Sequence, residues 1–223
     1  MSTAPAPNPK RALFAEFAIV ARALGHSHRL DLLEHLAQGG RSVEVLAGKV
    51  GLSIANTSQH LQQLRRAGLV ASERDGKFVR YRLAGDDVLM LLAALRQVAE
   101  QNLAAVARIV RGYFADRDGM EPVSREDLLA RSRDGLVTVL DVRPQDEFAL
   151  GHLPGAVNIP LDQLEARLGD IALDQDIVAY CRGTYCVLSF EAVALLRARG
   201  FTARRLVDGM PEWRAAGLPV AHC

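Results

Sequence analysis

Apolar residues recur at helical spacing between residues 10 and 37: Leu13, Phe14, Phe17, Val20 and Leu24, then Leu30, Leu33 and Leu36. That period lays one apolar stripe along each segment, which predicts two amphipathic helices. Gly25 separates them, and Gly39–Gly40 ends the second. A short third helix is predicted over 43–50, closed by Gly51. Ser53 has N-cap chemistry for a fourth helix over 54–67, with Gly68 just past its end. The period then changes. Residues 70–83 hold two short runs around Asp75–Gly76, a dipeptide suited to a tight hairpin turn. From 86 to 114, Val88, Leu92, Leu95, Val98, Leu103, Val106 and Val110 predict one long helix, with a stripe longer than a lone small domain needs.

Residues 115–123 are charged and contain Gly119 and Pro122, so the domain boundary is placed there. Beyond it the pattern alternates: helix 124–133, strand 136–140, helix near 161–168, strand 176–180, helix 186–199, strand 203–207. Alternation of this kind predicts an α/β domain with a parallel sheet. The organisation expected is a tail over 1–9, kept irregular by Pro5, Pro7 and Pro9, a mainly helical domain over 10–114, a linker over 115–123 and the α/β domain over 124–223.

Composition narrows the class. At 49% hydrophobic and 24% charged residues, the 223-residue chain suits a globular protein of two ordinary domains. It holds no apolar run long enough for a membrane span, and no apolar run precedes its first basic pair, so a cytoplasmic location without membrane contact is expected. The net charge of +1 conceals a segregation: residues 1–115 carry 15 Lys/Arg against 9 Asp/Glu, and residues 116–223 carry 12 against 17. A basic front half suits a polyanionic partner. The three cysteines, Cys181, Cys186 and Cys223, all lie in the acidic half and are read as thiols rather than as a disulfide framework; Cys223, at the terminus, is read as incidental.

In the front half, GLSIANTSQHLQQLRRAGLV followed by ERDGKFVRYRL sets a turn, a helix and a hairpin in the order of a winged helix-turn-helix. Over residues 10–105 the chain resembles the ArsR/SmtB family of repressors. In the fourth helix, spacing assigns Thr57, Leu61 and Leu64 to the core, leaving Ala55, Ser58, Gln59 and Gln62 outward toward base edges in a major groove of double-stranded operator DNA. Arg74, Lys77 and Arg80, on or beside the wing, are expected to meet phosphates. The resemblance implies a homodimer built on the first and last helices. It departs from the family's metal sites: the third helix, SVEVLAGKV, has no cysteine, and the long last helix has no histidine. His26, His28 and His35 lack cysteine or well-spaced carboxylates, so they are read as ordinary histidines, and neither metal nor cofactor is expected.

In the back half, LDVRPQDEFALGHLPGAVNIP, YCRGTYC and DGMPEWRAAGLPV together resemble the rhodanese family over residues 121–220. Cys181 follows the strand DIVAY and precedes a helix, placing it where α/β sheets bind ligands. The loop Arg182, Gly183, Thr184, Tyr185, Cys186 is the expected substrate cradle, its amides, the helix dipole and Arg182 together lowering the thiol pKa of Cys181, the catalytic nucleophile. Such a thiolate takes sulfane sulfur from thiosulfate, a persulfide or a polysulfide and holds it as a persulfide. A phosphatase loop would need arginine six residues after the cysteine, where Val187 stands. Asp141, Arg143, Glu147, His152 and Asn158 are assigned to scaffold, and Gly209 and Trp213 to turn and packing. The resemblance implies arginine, serine or threonine where Cys186 stands; a second thiol there either resolves a Cys181 persulfide or merely starts the helix. The expectation is a sulfur-responsive DNA-binding repressor with rhodanese-type sulfurtransferase chemistry. The alternative is a sulfurtransferase whose DNA-binding domain ignores sulfur.

Overall fold

The computed structural model describes residues 8–76, 78–114, 122–172 and 175–222. The chain divides into two compact units between Val88 and Leu89. Lys77 and Cys223, singled out in the sequence, lie outside the described residues, as do 115–121 of the expected linker.

The first unit opens on α1, Pro9–Leu24, followed by α2, Ser27–Ala37. The expected tail therefore ends sooner than 1–9 implied: the Asn8 side chain accepts from the Lys10 amide and Pro9 takes the first helical position, where its missing N–H is harmless. The short strand β1, Arg41–Ser42, leads into α3, Val43–Val50, whose end is turned by Gly51 at φ 66°. Helix α4, Ile54–Arg66, is capped as expected, Ser53 Oγ accepting from the Asn56 amide at 3.2 Å. The wing is β2, Val70–Asp75, paired antiparallel with β3, Phe78–Leu83, and the sheet order is β1-β3-β2. Leu32, Leu33, Leu46, Leu61 and Leu64 are fully buried between the helices. Each contributes about 2–3 kcal/mol of burial free energy.

Where one long helix was expected over 86–114, the structure has three pieces. Helix α5 covers Asp87–Asn102, α6 covers Ala104–Ile109, and a π-helical turn covers Val110–Phe114. Leu103 has extended dihedrals, φ −104° and ψ 105°, which no helix interior tolerates. Beside it, the Asn102 amide donates to the Val98 carbonyl and competes locally for the helical ladder.

The α/β part of the second unit runs α7 (Arg125–Arg133), β4 (Val137–Asp141), α8 (Gln145–Phe148), β5 (Val157–Asn158), α9 (Leu161–Leu164), β6 (Asp176–Tyr180), α10 (Val187–Ala198), β7 (Ala203–Arg205) and α11 (Met210–Ala215). The helix expected near 161–168 is shorter, with a 3-10 turn following at Leu168–Asp170. The four strands are all parallel, in the order β5-β4-β6-β7, as the alternating pattern predicted. Val123 bridges Leu206 in parallel, so the ordered sheet edge begins at the end of the expected linker. Successive strand residues point to opposite faces. Leu140, Ile177 and Ala179 face one core with Cys181, Cys186 and the inner side of α10; Val139, Val178 and Tyr180 face a second with Leu128, Leu153 and Trp213.

Candidate functional site

In the first unit, α4 divides its residues by period. Thr57, Leu61 and Leu64 are fully buried, and Thr57 donates its hydroxyl to the Ser53 carbonyl. Ala55, Gln59 and Gln62 are exposed and Ser58 half-exposed, so the four predicted base-facing residues share the outward side. Arg74 is exposed on β2. Arg80 is held differently: it donates to the Gly40 carbonyl at 3.1 Å and pairs with Asp75 at 3.7 Å, tying the wing to the turn before β1. Sequence reasoning missed Arg29. Its buried guanidinium caps α1 through the carbonyls of Ala23 and Arg22 and donates to Gln63 of α4, orienting the outward helix against the first.

The histidines regroup. His26 and His28 meet His60 of α4, with ring centroids 4.6 and 5.9 Å from it, whereas His35 pairs with Asp31. Burial, then the charges of His26, Arg29 and His28, lower the pKa of His60. No cluster suited to a metal occurs among the described residues.

In the second unit, Cys181 stands one residue beyond the C-terminal end of β6 and is 1% exposed. Cys186 is the N-cap residue of α10, and its amide donates to the Gly183 carbonyl at 3.1 Å. The five-residue turn thereby folds back on itself, and Cys181 and Cys186 are joined as a disulfide with Cα atoms 6.2 Å apart. The N-terminus of α10 is thus directed at the sulfurs, the geometry that favours negative charge there.

The scaffold of this turn is built from the first motif. Asp141 and Arg143 are fully buried and joined by three side-chain hydrogen bonds, the shortest 2.6 Å, and Arg143 also donates to the Gly151 carbonyl at 2.8 Å. Asn158 donates to the carbonyls of Asp141 and Arg143, fixing the chain between β4 and α8. His152 is braced as a loop residue, its Nδ1 3.0 Å from the Phe148 carbonyl and its ring stacked on Phe148. Tyr180 is a neutral phenol: burial, then Asp141, pushes its pKa far above the usual range, and its oxygen accepts from the Leu153 amide.

Arg182 is placed differently from expectation. Its guanidinium turns to Glu147, with Nε and Nη2 at 2.8 and 2.9 Å from the two carboxylate oxygens. The cation that reaches the turn comes from outside every motif. Arg96 of α5 donates to Thr184 Oγ1 at 3.4 Å and to Glu212 Oε1 at 2.9 Å. Burial first, then the nearby Glu100 carboxylate, holds the Tyr185 phenol up at about 12.

Gly209 was assigned to a turn, and its role is closer contact than that. A Cβ there would stand 2.2 Å from the Gly183 nitrogen and 2.5 Å from the Arg182 carbonyl carbon. Its own amide donates to Glu212 Oε2 at 3.0 Å, and the next amide, Met210, donates to the Cys181 carbonyl at 3.1 Å. Trp213 is buried packing, its indole donating to the Pro219 carbonyl.

Comparison with known proteins agrees with this division. A helix-turn-helix domain model matches residues 24–73, and a rhodanese-like domain model matches residues 124–216. The chain is 44% identical over 211 residues to the HTH-type transcriptional regulator Rv0324 of Mycobacterium tuberculosis, covering 95% of this chain and 92% of that one. It belongs to the ArsR-type helix-turn-helix transcriptional regulators that carry a rhodanese-like domain. The chain is also 33% identical over 85 residues to a sulfurtransferase of Allochromatium vinosum, covering 38% of this chain and 78% of that protein. Among solved structures, the homodimeric winged helix-turn-helix domain of a possible ArsR-family regulator from Mycobacterium bovis is 38% identical, covers 47% of this chain and 95% of its own, and has a TM-score of 0.41. No helix among the described residues is long and apolar enough to cross a membrane.

Proposed function

We propose that this regulator is a cytoplasmic, homodimeric repressor whose hold on double-stranded operator DNA is set by sulfane sulfur reacting at Cys181. The observation that carries the reading is the bonded pair: Cys186 occupies the end of the turn that Cys181 begins, within bonding distance of it. A turn used only for repeated transfer has no need of a second thiol there.

The chemistry balances without a cofactor. The Cys181 thiolate attacks the sulfane sulfur of a persulfide donor; a Cys181 persulfide forms and the donor leaves as a thiol. The Cys186 thiolate then attacks Sγ of Cys181. The protein S–S bond forms, and the outer sulfur leaves as hydrosulfide carrying the electron pair. Two protein thiols are oxidised and one sulfane sulfur is reduced to sulfide. Thiosulfate reacts in the same way, with sulfite as the first leaving group. In the first unit the outward residues of α4, Ala55, Ser58, Gln59 and Gln62, read bases while Arg74, Lys77 and Arg80 meet or support the phosphate backbone. The exposed apolar residues Leu13, Phe14 and Phe17 of α1, with Met90, Leu95 and Val98 of α5, supply the surface of a dimer.

The test is the affinity of the reduced protein for a duplex it selects from a random library, measured with and without polysulfide. Weaker binding in wild type, lost in Cys181→Ser, is the expected result. An affinity that polysulfide leaves unchanged in the wild type would refute the sensor reading. A second reading is favoured by the likeness of 85 residues of the chain to a protein named as a sulfurtransferase. It requires many turnovers of thiosulfate into cyanide or thiol acceptors at constant DNA affinity.

A further inference from the structure

Two of the four residues between Cys181 and Cys186, Thr184 and Tyr185, interact with side chains of α5. Thr184 Oγ1 accepts from Arg96 at 3.4 Å, and the Glu100 carboxylate holds up the pKa of the next residue, Tyr185. Arg96 and Glu100 are four residues apart, so they share one face of the helix. The same Arg96 nitrogen binds Glu212, whose other oxygen accepts from the Gly209 amide, and Gly209 lies against the backbone of Arg182 and Gly183. Arg96 and Glu212 are 33% and 19% exposed, so the pair is partly shielded from solvent. Within the second unit, then, one face of α5 holds the turn directly at Thr184, bears on Tyr185 through the Glu100 charge, and reaches the start of the turn through Glu212 and Gly209.

The turn cannot keep one shape through the chemistry of its cysteines. Cys181 is 1% and Cys186 8% exposed, in a core with Leu140, Ile177 and Ala179. Close-packed surroundings take up an added sulfur atom only by local movement. Opening the disulfide separates two sulfurs to van der Waals distance, and a persulfide adds an outer sulfur to Cys181. Either change moves the turn between Arg182 and Cys186, in which Thr184 is hydrogen-bonded to Arg96 of α5.

We propose that Arg96 and Glu100 are positioning residues of the cysteine turn, through which α5 reads whether Cys181 and Cys186 are joined. Neither residue touches a sulfur or a sulfur donor. Helix α5 begins at Asp87, and the chain from Leu83 at the end of the wing reaches it in three residues, so it is the segment through which the second unit continues from the first. The proposal rests on the sulfur-sensing reading for its purpose but not for its test.

That test is hydrogen exchange of the full-length protein as disulfide and as dithiol, followed in peptides covering 94–102 and 182–186. In the wild type, reduction is expected to change exchange in both segments, by about fivefold or more in α5, the lower end of ordinary coupling between sites. In Arg96→Gln and Glu100→Gln the turn still responds and α5 does not; Arg96→Lys restores part of the α5 response. Unchanged exchange in 94–102 on reduction of the wild type overturns the relay. So does an α5 response that survives in the Arg96→Gln, Glu100→Gln double variant. If α5 responds as stated while DNA affinity stays constant, the relay stands and the sensor reading falls.

Discussion

Arg182 Nε and Nη2 lie 2.8 and 2.9 Å from the two carboxylate oxygens of Glu147, a bidentate pair that joins the cysteine turn to a residue 35 positions upstream. Glu147 is fully buried, whereas the Arg182 side chain keeps 18% of its surface in water. The nearest cation in sequence to Cys181 therefore fixes the turn and does not point at the thiolate. In the proposed chemistry, stabilisation of a sulfur anion is left to the start of α10 and to the backbone of the turn.

The unequal burial predicts unequal damage. In Arg182→Met the Glu147 carboxylate stays buried without the guanidinium, which is expected to cost about 3–5 kcal/mol. In Glu147→Gln the guanidinium can turn toward solvent and an amide still accepts from it, for a loss of about 1–2 kcal/mol. Denaturant melts of the two variants check the order. Equal losses would mean that the pair behaves as a surface bridge.

Gly209 predicts a different kind of failure. Its φ of −113° suits any residue, so the obstacle to Gly209→Ala is space and not backbone conformation. The added methyl would meet main-chain atoms of Arg182 and Gly183, which no rotamer change can move aside. The turn has to shift, and a loss of about 1–3 kcal/mol is expected from overpacking. Mass spectrometry after polysulfide treatment is expected to find Cys181 largely unmodified in this variant. Full sulfur loading would show that the contact is not needed for the reactive geometry.

Much of this was legible in the sequence, for reasons that particular residues make plain. Thr57, Leu61 and Leu64 repeat at the period of α4 and are buried; Ser53 caps it; the alternation of strand and helix over 124–207 yields the parallel sheet. These signals are local, since period and cap chemistry act within a few residues. The break at Leu103 was not legible, because the apolar repeat runs through it without glycine or proline. Nor was the approach of Arg96 to Glu212, which are 116 residues apart. A contact between two surface-type residues of opposite charge leaves no periodic trace in either segment. For the same reason Arg182 was assigned to the sulfur cradle by proximity, while its partner Glu147 lay in another motif.

On the DNA side, Arg74 and Arg80 predict distinct outcomes although both are wing arginines. Arg74 is exposed, whereas Arg80 is bound to Gly40 and Asp75. Arg74→Ala is expected to weaken binding to all sequences alike and to lower the slope of log affinity against log salt by about 0.9. Arg80→Ala is expected to lower the stability of the first unit as well, because the Gly40 carbonyl loses its donor. Salt titrations of binding, beside thermal melts, separate the two. A salt slope unchanged by Arg74→Ala would remove that residue from the phosphate contacts.

His60 gives the first unit a dependence on pH whose sign can be worked out. Burial disfavours its charged form in the folded protein, and His26, Arg29 and His28 add to the effect, so the folded pKa lies below the ordinary 6.5. As pH falls through 6.5 the unfolded chain therefore takes up the proton before the folded one does. Stability is complete above that value and declines as pH falls toward the lowered folded pKa. The ring of His60 is carried on α4, whose outward side bears Ser58, Gln59 and Gln62. Exchange of α4 amides is accordingly expected to quicken, after correction for intrinsic rates, between about pH 7 and about pH 5. His60→Gln removes the titrating group and is expected to flatten that profile. A profile as steep in His60→Gln as in the wild type would show that His60 is not the source of the dependence.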